Sequence, residues 1–133
     1  MSNKSKKILS EISAGELLDK ISILEIKIDK IKSKDKQVEI KKEYKLLKEA
    51  QNLNVEDSKD IQELFNEIKK VNLNLWIIED KIRICEKNKN FGKEFIELSR
   101  SVYLNNDKRA TIKSQINDLL GSNIREVKEY ADY

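Results

Sequence analysis

Proline and histidine are absent from the 133 residues of this chain, glycine occurs 3 times and cysteine once. Without proline, and with so little glycine, the chain lacks the punctuation that the turns of an all-β protein require. Without histidine, and with a single thiol, imidazole and thiolate metal sites and Ser-His or Cys-His nucleophilic triads have no parts. Glycine is also too scarce for a phosphate-cradling loop. No apolar run approaches the length of a membrane span. The opening MSNKSKKIL has a basic start but lacks the apolar core and small-residue cleavage site of a signal peptide. Cys85 has no partner for a disulfide and falls on an apolar seam, where a thiol acts as a small hydrophobe. The chain reads as a cytoplasmic protein of a reducing compartment.

What is abundant is charge, at 38% of residues, with a formal net charge of +3 and a pI near 8.8. At 15.6 kDa the chain fits one domain that buries roughly two thirds of its unfolded surface. Its most informative feature is a long apolar repeat, Ile61, Leu64, Ile68, Val71, Leu75, Ile78, Ile82 and Cys85, at alternating spacings of three and four. This is the seam of a long helix packed against other helices. In its second half Leu73, Trp76, Ile77 and Ile84 put apolar groups on the outer face as well, so the helix is expected to be central or interfacial.

Residues 1–10, with Lys4, Lys6 and Lys7, read as a basic and flexible arm, and residues 11–133 as a single helical domain. Ser13 and Glu16 form a Ser-x-x-Glu capping box, with Ile12 and Leu17 at the positions of a hydrophobic staple. From there Leu17, Ile21, Leu24, Ile28 and Ile31 repeat the three-four spacing and can zip against the long seam. Around Ser33 to Lys36 the rhythm lapses, as a turn or a kink, and Asp35 is placed to cap a continuation through Ile40, Tyr44 and Leu47. Residues 52–58 read as a loop in which Asp57 or Ser58 caps the long helix, which runs to about Lys87 before KNKNFG closes it. Phe91, Phe95, Leu98 and Val102 mark a further helix. Asn105, Asn106 and Asp107 either break it or cap a successor carrying Ile112, Ile116, Leu119 and Leu120, with Gly121 as its stop. The tail from Ser122 has enough apolar residues to dock but is too short to stand alone.

The remaining chemistry lies in carboxylates, arginines, tyrosines and asparagines on helices. On the long helix Trp76, Asp80 and Arg83 share a face, with Glu79 beside them and Asn72 one turn below; an Asp80 to Arg83 ion pair is the bland reading. On the next helix Arg100, Tyr103 and Asp107 share a face with Asn106 and Arg109 nearby, a set suited to a phosphate or carboxylate. Asp19 and Lys20 complete the candidate set on the first helix, where Glu16 is explained by capping. The lysines from Lys30 to Lys48 alternate with acidic residues, which favours a solvated face over a nucleic-acid track.

The blocks EISAGELLDKISILEIKI, NLWIIEDKIR, FIELSRSVYLNNDKRATIKSQINDLLGS and EYADY together resemble an uncharacterised family of small bacterial proteins, catalogued as a domain of unknown function, sixty-one sixty-five. The resemblance implies a grouping and no activity, cofactor or partner. The opening helix is also similar in flavour to that of helical chorismate mutases, which implies Lys20, Arg83, Arg100 and Arg109 as dicarboxylate holders. All-helical nucleotide pyrophosphatases hold magnesium with carboxylates one turn apart on two helices. Glu16 and Asp19 fit one such pair, whereas adjacent Glu79 and Asp80 point to different faces.

The expected architecture is all-α, a helical hairpin or small bundle with one long central helix and the chain from Phe91 onward folded over the outer face near Trp76. The leading functional expectation is a non-catalytic binding or accessory protein, needing no cofactor or metal, that binds a small anion or a protein partner and self-associates through a seam. The alternative is a small enzyme acting on an anionic metabolite, with Arg83 and Arg100 as clamps and Glu79 or Asp80 as acid-base group.

Overall fold

The computed structural model describes residues 6–133. The part of the basic arm that holds Lys4 lies outside the described residues, and Lys6 to Ser10 are exposed and without helix. Four helices follow in order: α1 (Ala14–Lys30), α2 (Lys34–Asn54), α3 (Lys59–Lys87) and α4 (Lys93–Leu120). They form two antiparallel hairpins, α1 with α2 and α3 with α4. α1 packs against the other three helices, and α3 is the longest.

Each boundary has a local cause. Ser13 Oγ accepts from the Glu16 amide at 3.1 Å, and Ser58 Oγ accepts from the Ile61 amide at 3.2 Å, so each serine satisfies a first-turn N–H that has no helical partner. Residues 31–33 are a turn and not a kink, and its cap is Ser33, with Asp35 inside the first turn of α2. Gln37 reinforces the turn by donating to the carbonyls of Ile28, at 2.9 Å, and Ile31. Asn88 caps the end of α3, Lys89 takes φ 54°, and Gly121 ends α4 in the left-handed region at φ 62°.

One expected boundary does not exist. α4 runs unbroken through Asn105, Asn106 and Asp107. Asn105 turns its amide onto the Ser101 carbonyl at 2.8 Å, so its polar group is satisfied by its own helix and has no turn to make.

The core is formed by Leu17, Leu18 and Ile21 of α1, Ile61, Ile68, Val71 and Leu75 of α3, and Ile112 and Ile116 of α4, with Tyr44 and Leu47 of α2 packed against it. The two three-four seams therefore meet over only part of their length. At a rise of 1.5 Å per residue α3 extends about 43 Å and α1 only about 25 Å. The α3–α4 hairpin outreaches α1 by this difference in length, and among the described residues no hydrogen bond or ion pair ties residues 77–104 to α1 or α2. The chain from Phe91 onward lies beside α3 and does not cover its outer face, where Ile77 and Ile84 stay 42% and 57% exposed. Cys85 is the one buried residue between Trp76 and Asp107.

Candidate functional site

The structure splits the expected site into two groups. The first lies where α1 crosses the α3–α4 pair. Asp19, 4% exposed, accepts from the Asn72 amide at 2.8 Å, and the same amide nitrogen donates to Ser22 Oγ at 2.8 Å. From the other side Arg109 donates to the side-chain oxygen of Asn72, Oδ1, at 3.3 Å. Lys113, one turn along α4, extends its ammonium to Glu16 at 2.7 Å, Glu126 at 3.1 Å and Asp19 at 3.8 Å. Burial pulls the Lys113 pKa down, but hydrogen bonds to Glu16 and Glu126 outweigh it and raise the group above its ordinary range. The Lys113 hydrogen bond in turn lowers the Glu126 carboxyl.

Glu16 thus corrects the capping box. Ser13 supplies its half, while the Glu16 carboxylate turns outward to Lys113 and, more loosely, to Lys20 at 3.8 Å. An ammonium in a half-buried crossing binds a carboxylate more strongly than a backbone N–H does. Close packing completes the crossing. The Gly15 amide donates to Asn117 Oδ1 at 2.7 Å, and a Cβ on Gly15 would stand 2.5 Å from the Lys113 carbonyl oxygen. No buried polar side-chain atom among the described residues lacks a partner. The cluster is therefore internally satisfied.

Sequence reasoning named Asp19 and Arg109 but missed Asn72 as their bridge, together with Glu16, Lys113 and Asn117. A signal was present. Arg109, Lys113 and Asn117 recur every four residues directly beside Ile112 and Ile116, which marks a polar stripe at the edge of the buried face.

The second group lies on the distal part of the α3–α4 hairpin. Trp76 and Glu79 are half-buried, and Asp80 is exposed. Arg83 donates to the Glu79 carboxylate and, at 3.1 Å, to the Glu79 carbonyl, so the expected Asp80 to Arg83 pair is replaced by one at i, i+4. Arg100 is exposed, and the nearby Tyr103 hydroxyl shifts its pKa upward. Asn106 and Asp107 are half-buried within the helix and cap nothing. Asp107 accepts from the Tyr133 hydroxyl, whose ring stands edge-on to Tyr103 with centroids 5.7 Å apart. No hydrogen bond or ion pair among the described residues joins residues 77–104 to α1 or α2.

The helical period shows what this bare segment is. Asn72, which touches α1, is followed on the same stripe by Trp76, Glu79 and Arg83, and Lys113 and Arg109 are continued by Asn106, Val102 and Phe95. The face on which α1 rests is thus prolonged beyond the end of the contact. There it carries half-buried Trp76, Phe95 and Val102, bordered by Ile96 and Tyr103 at 55% and 44% exposure.

The model described as "Family of unknown function (DUF6165)" matches residues 8–132. The chain belongs to DUF6165. That span takes in both the α1 crossing and the distal hairpin, so in this DUF6165 chain they are parts of one matched unit. No curated protein and no solved structure matches the chain. None of the DUF6165 chain's described helices is long and apolar enough to cross a membrane.

Proposed function

We propose that this DUF6165 chain is a non-catalytic binding protein whose contact surface is the distal half of the α3–α4 hairpin. The observation that carries the reading is the prolongation of the α1-bearing face along the hairpin, with half-buried Trp76, Phe95 and Val102 and exposed Ile96 and Tyr103 on it, and with no hydrogen bond or ion pair among the described residues tying residues 77–104 to α1 or α2. A helix pair with an open apolar face is completed by further helices at the usual spacing of about 8–10 Å.

The occupant we infer is a second copy of the chain. Residues 76–107 carry six basic and six acidic side chains, so the segment has no net charge while the whole chain has +3. Its rims bear both signs, in the pairs Arg83 with Glu79, Lys89 with Glu86 and Lys93 with Glu97. A neutral surface of mixed rims gives no preference for a strongly acidic or basic partner, whereas an antiparallel copy sets cations opposite anions. Two hairpins then close a four-helix arrangement.

Sedimentation equilibrium tests this directly. The expected result is a concentration-dependent dimer that Ile96→Glu converts to a monomer with unchanged helix content, because a carboxylate at that position is buried unpaired on association. A wild-type chain that stays monomeric to millimolar concentration overturns self-association, and an unaltered dimer in Ile96→Glu moves the interface elsewhere.

A further inference from the structure

Residues 122–133 form no helix, yet they are tied to the bundle at separated points. Arg125 donates to Asp118 and, at 3.3 Å, to the Asn117 carbonyl. Glu126 reaches the Lys113 ammonium at 3.1 Å, and Tyr133 closes on Asp107 and Tyr103. Between these ties the segment buries little, with Val127 and Tyr130 at 89% and 73% exposure, and Tyr133 itself stays 82% exposed at its tie. A groove of about 510 Å³ lies where it meets α4, lined in part by Thr111, Gln115 and Val127. The segment is held by polar clasps and not by an apolar anchor.

The main clasp is one that Lys113 does not depend on. Its side chain is 10% exposed, and Glu16 and Asp19 still surround the ammonium when Glu126 leaves. Losing Glu126 therefore strands no buried cation, and the clasp belongs with partly exposed ion pairs, which hold weakly. At the far end Tyr133 lies over Tyr103, at the border of the face assigned above to a second copy.

We propose that residues 122–133 are a releasable strap that shields this face: Glu126 clasped to Lys113 keeps Tyr133 on Tyr103, and strap-bound and copy-bound forms exclude one another. The proposal rests on the self-association reading and adds a control to it. If the strap occupies the edge of the face, only the released fraction is competent to associate, and the apparent dissociation constant is raised by that fraction.

The test uses the full chain with Glu126→Ala, Tyr133→Ala and the double variant, each checked for unchanged helix content. Two quantities are read: the rate of tryptic cleavage after Lys128, and the dimer dissociation constant by sedimentation. Faster cleavage in Glu126→Ala, together with dimerisation tightened severalfold in each single variant and further in the double, is the expected result. Faster cleavage with an unchanged dissociation constant overturns the shielding role. Cleavage and association both unchanged overturn the strap altogether. A dimer of constant affinity across all variants sinks the strap alone, whereas monomers throughout, the double variant included, sink the docking face and the strap's role with it.

Discussion

Asn72 on α3 and Asp19 on α1 are joined by a hydrogen bond of 2.8 Å in a crossing where both residues are almost fully buried. The same carboxamide serves Ser22 and accepts from Arg109, so one side chain links α1, α3 and α4. Removing it leaves Asp19, Ser22 and Arg109 short of a partner at once. Asn72→Ala is expected to destabilise the fold by about 2–3 kcal/mol, the range for leaving buried polar groups unsatisfied. Urea denaturation of the two proteins measures the difference, and a loss under about 0.5 kcal/mol, the surface-substitution range, shows that water replaces Asn72 without penalty.

Gly15 has a different reason for its identity. It lies in the first turn of α1, where alanine favours the helix by up to about 1 kcal/mol over glycine. The added Cβ, however, meets the Lys113 carbonyl oxygen at 2.5 Å and Asn117 Oδ1 at 3.0 Å. The nearer atom is backbone within a helix and cannot step aside cheaply. Overpacking of this kind costs about 1–3 kcal/mol, so Gly15→Ala is expected to lower the melting temperature despite its better propensity. A rise in melting temperature would show that α1 and α4 slide apart freely at this crossing.

Gly121 supplies the opposite case, since a Cβ there meets nothing within 4 Å. Its constraint is the backbone, at φ 62°. Gly121→Ala is expected to cost about 1 kcal/mol and Gly121→Asn less, because asparagine tolerates the left-handed region. Thermal melts that rank alanine equal to or above asparagine contradict this assignment.

These residues show which features a sequence discloses. Ser13, Ser58 and Gly121 mark helix ends through hydrogen bonds within a few residues, so local spacing is enough to find them. Asn105, Asn106 and Asp107 have the same turn-forming composition, yet α4 passes through them. The packing of Ile112 and Ile116 into the core and the back-bond of Asn105 to Ser101 outweigh local preference. The crossing was legible in its residue types at Asp19 and Arg109, but its assembly was not. Lys113 meets Glu16 and Glu126 only because α1 and the segment after Gly121 arrive at α4 from opposite ends of the chain, and such pairings have no local spacing. The distal hairpin is half legible: the spacing marks an apolar outer face near Trp76, but nothing local says that the chain from Phe91 onward leaves Ile77 and Ile84 exposed.

The Lys113 cluster makes the last prediction, a dependence of the 122–133 segment on pH. Three carboxylates, Glu16, Asp19 and Glu126, face the ammonium, with Lys128 3.7 Å from Glu126 on its outer side and Lys20 near Glu16. The Glu126 pKa is lowered in the fold, chiefly by its hydrogen bond to Lys113, from an ordinary value of 4.5. A lowered carboxyl contributes stability that is present above 4.5 and lost as the pH falls through its folded value. Lys113, raised above 10.5, contributes stability that is present below that value and lost as the pH rises through its folded one. Attachment of the segment is therefore expected to be constant across the neutral range, to fail first on the acid side, below the ordinary carboxylate value of 4.5, as Glu126 protonates, and to fail again in strong alkali. Amide signals of Val127 to Tyr133 followed by NMR report attachment separately from global unfolding. In Glu126→Gln the acid transition of these signals disappears, while the acid unfolding of the bundle remains. An acid transition that persists unchanged in Glu126→Gln shows that the Lys113 clasp does not control release of the segment.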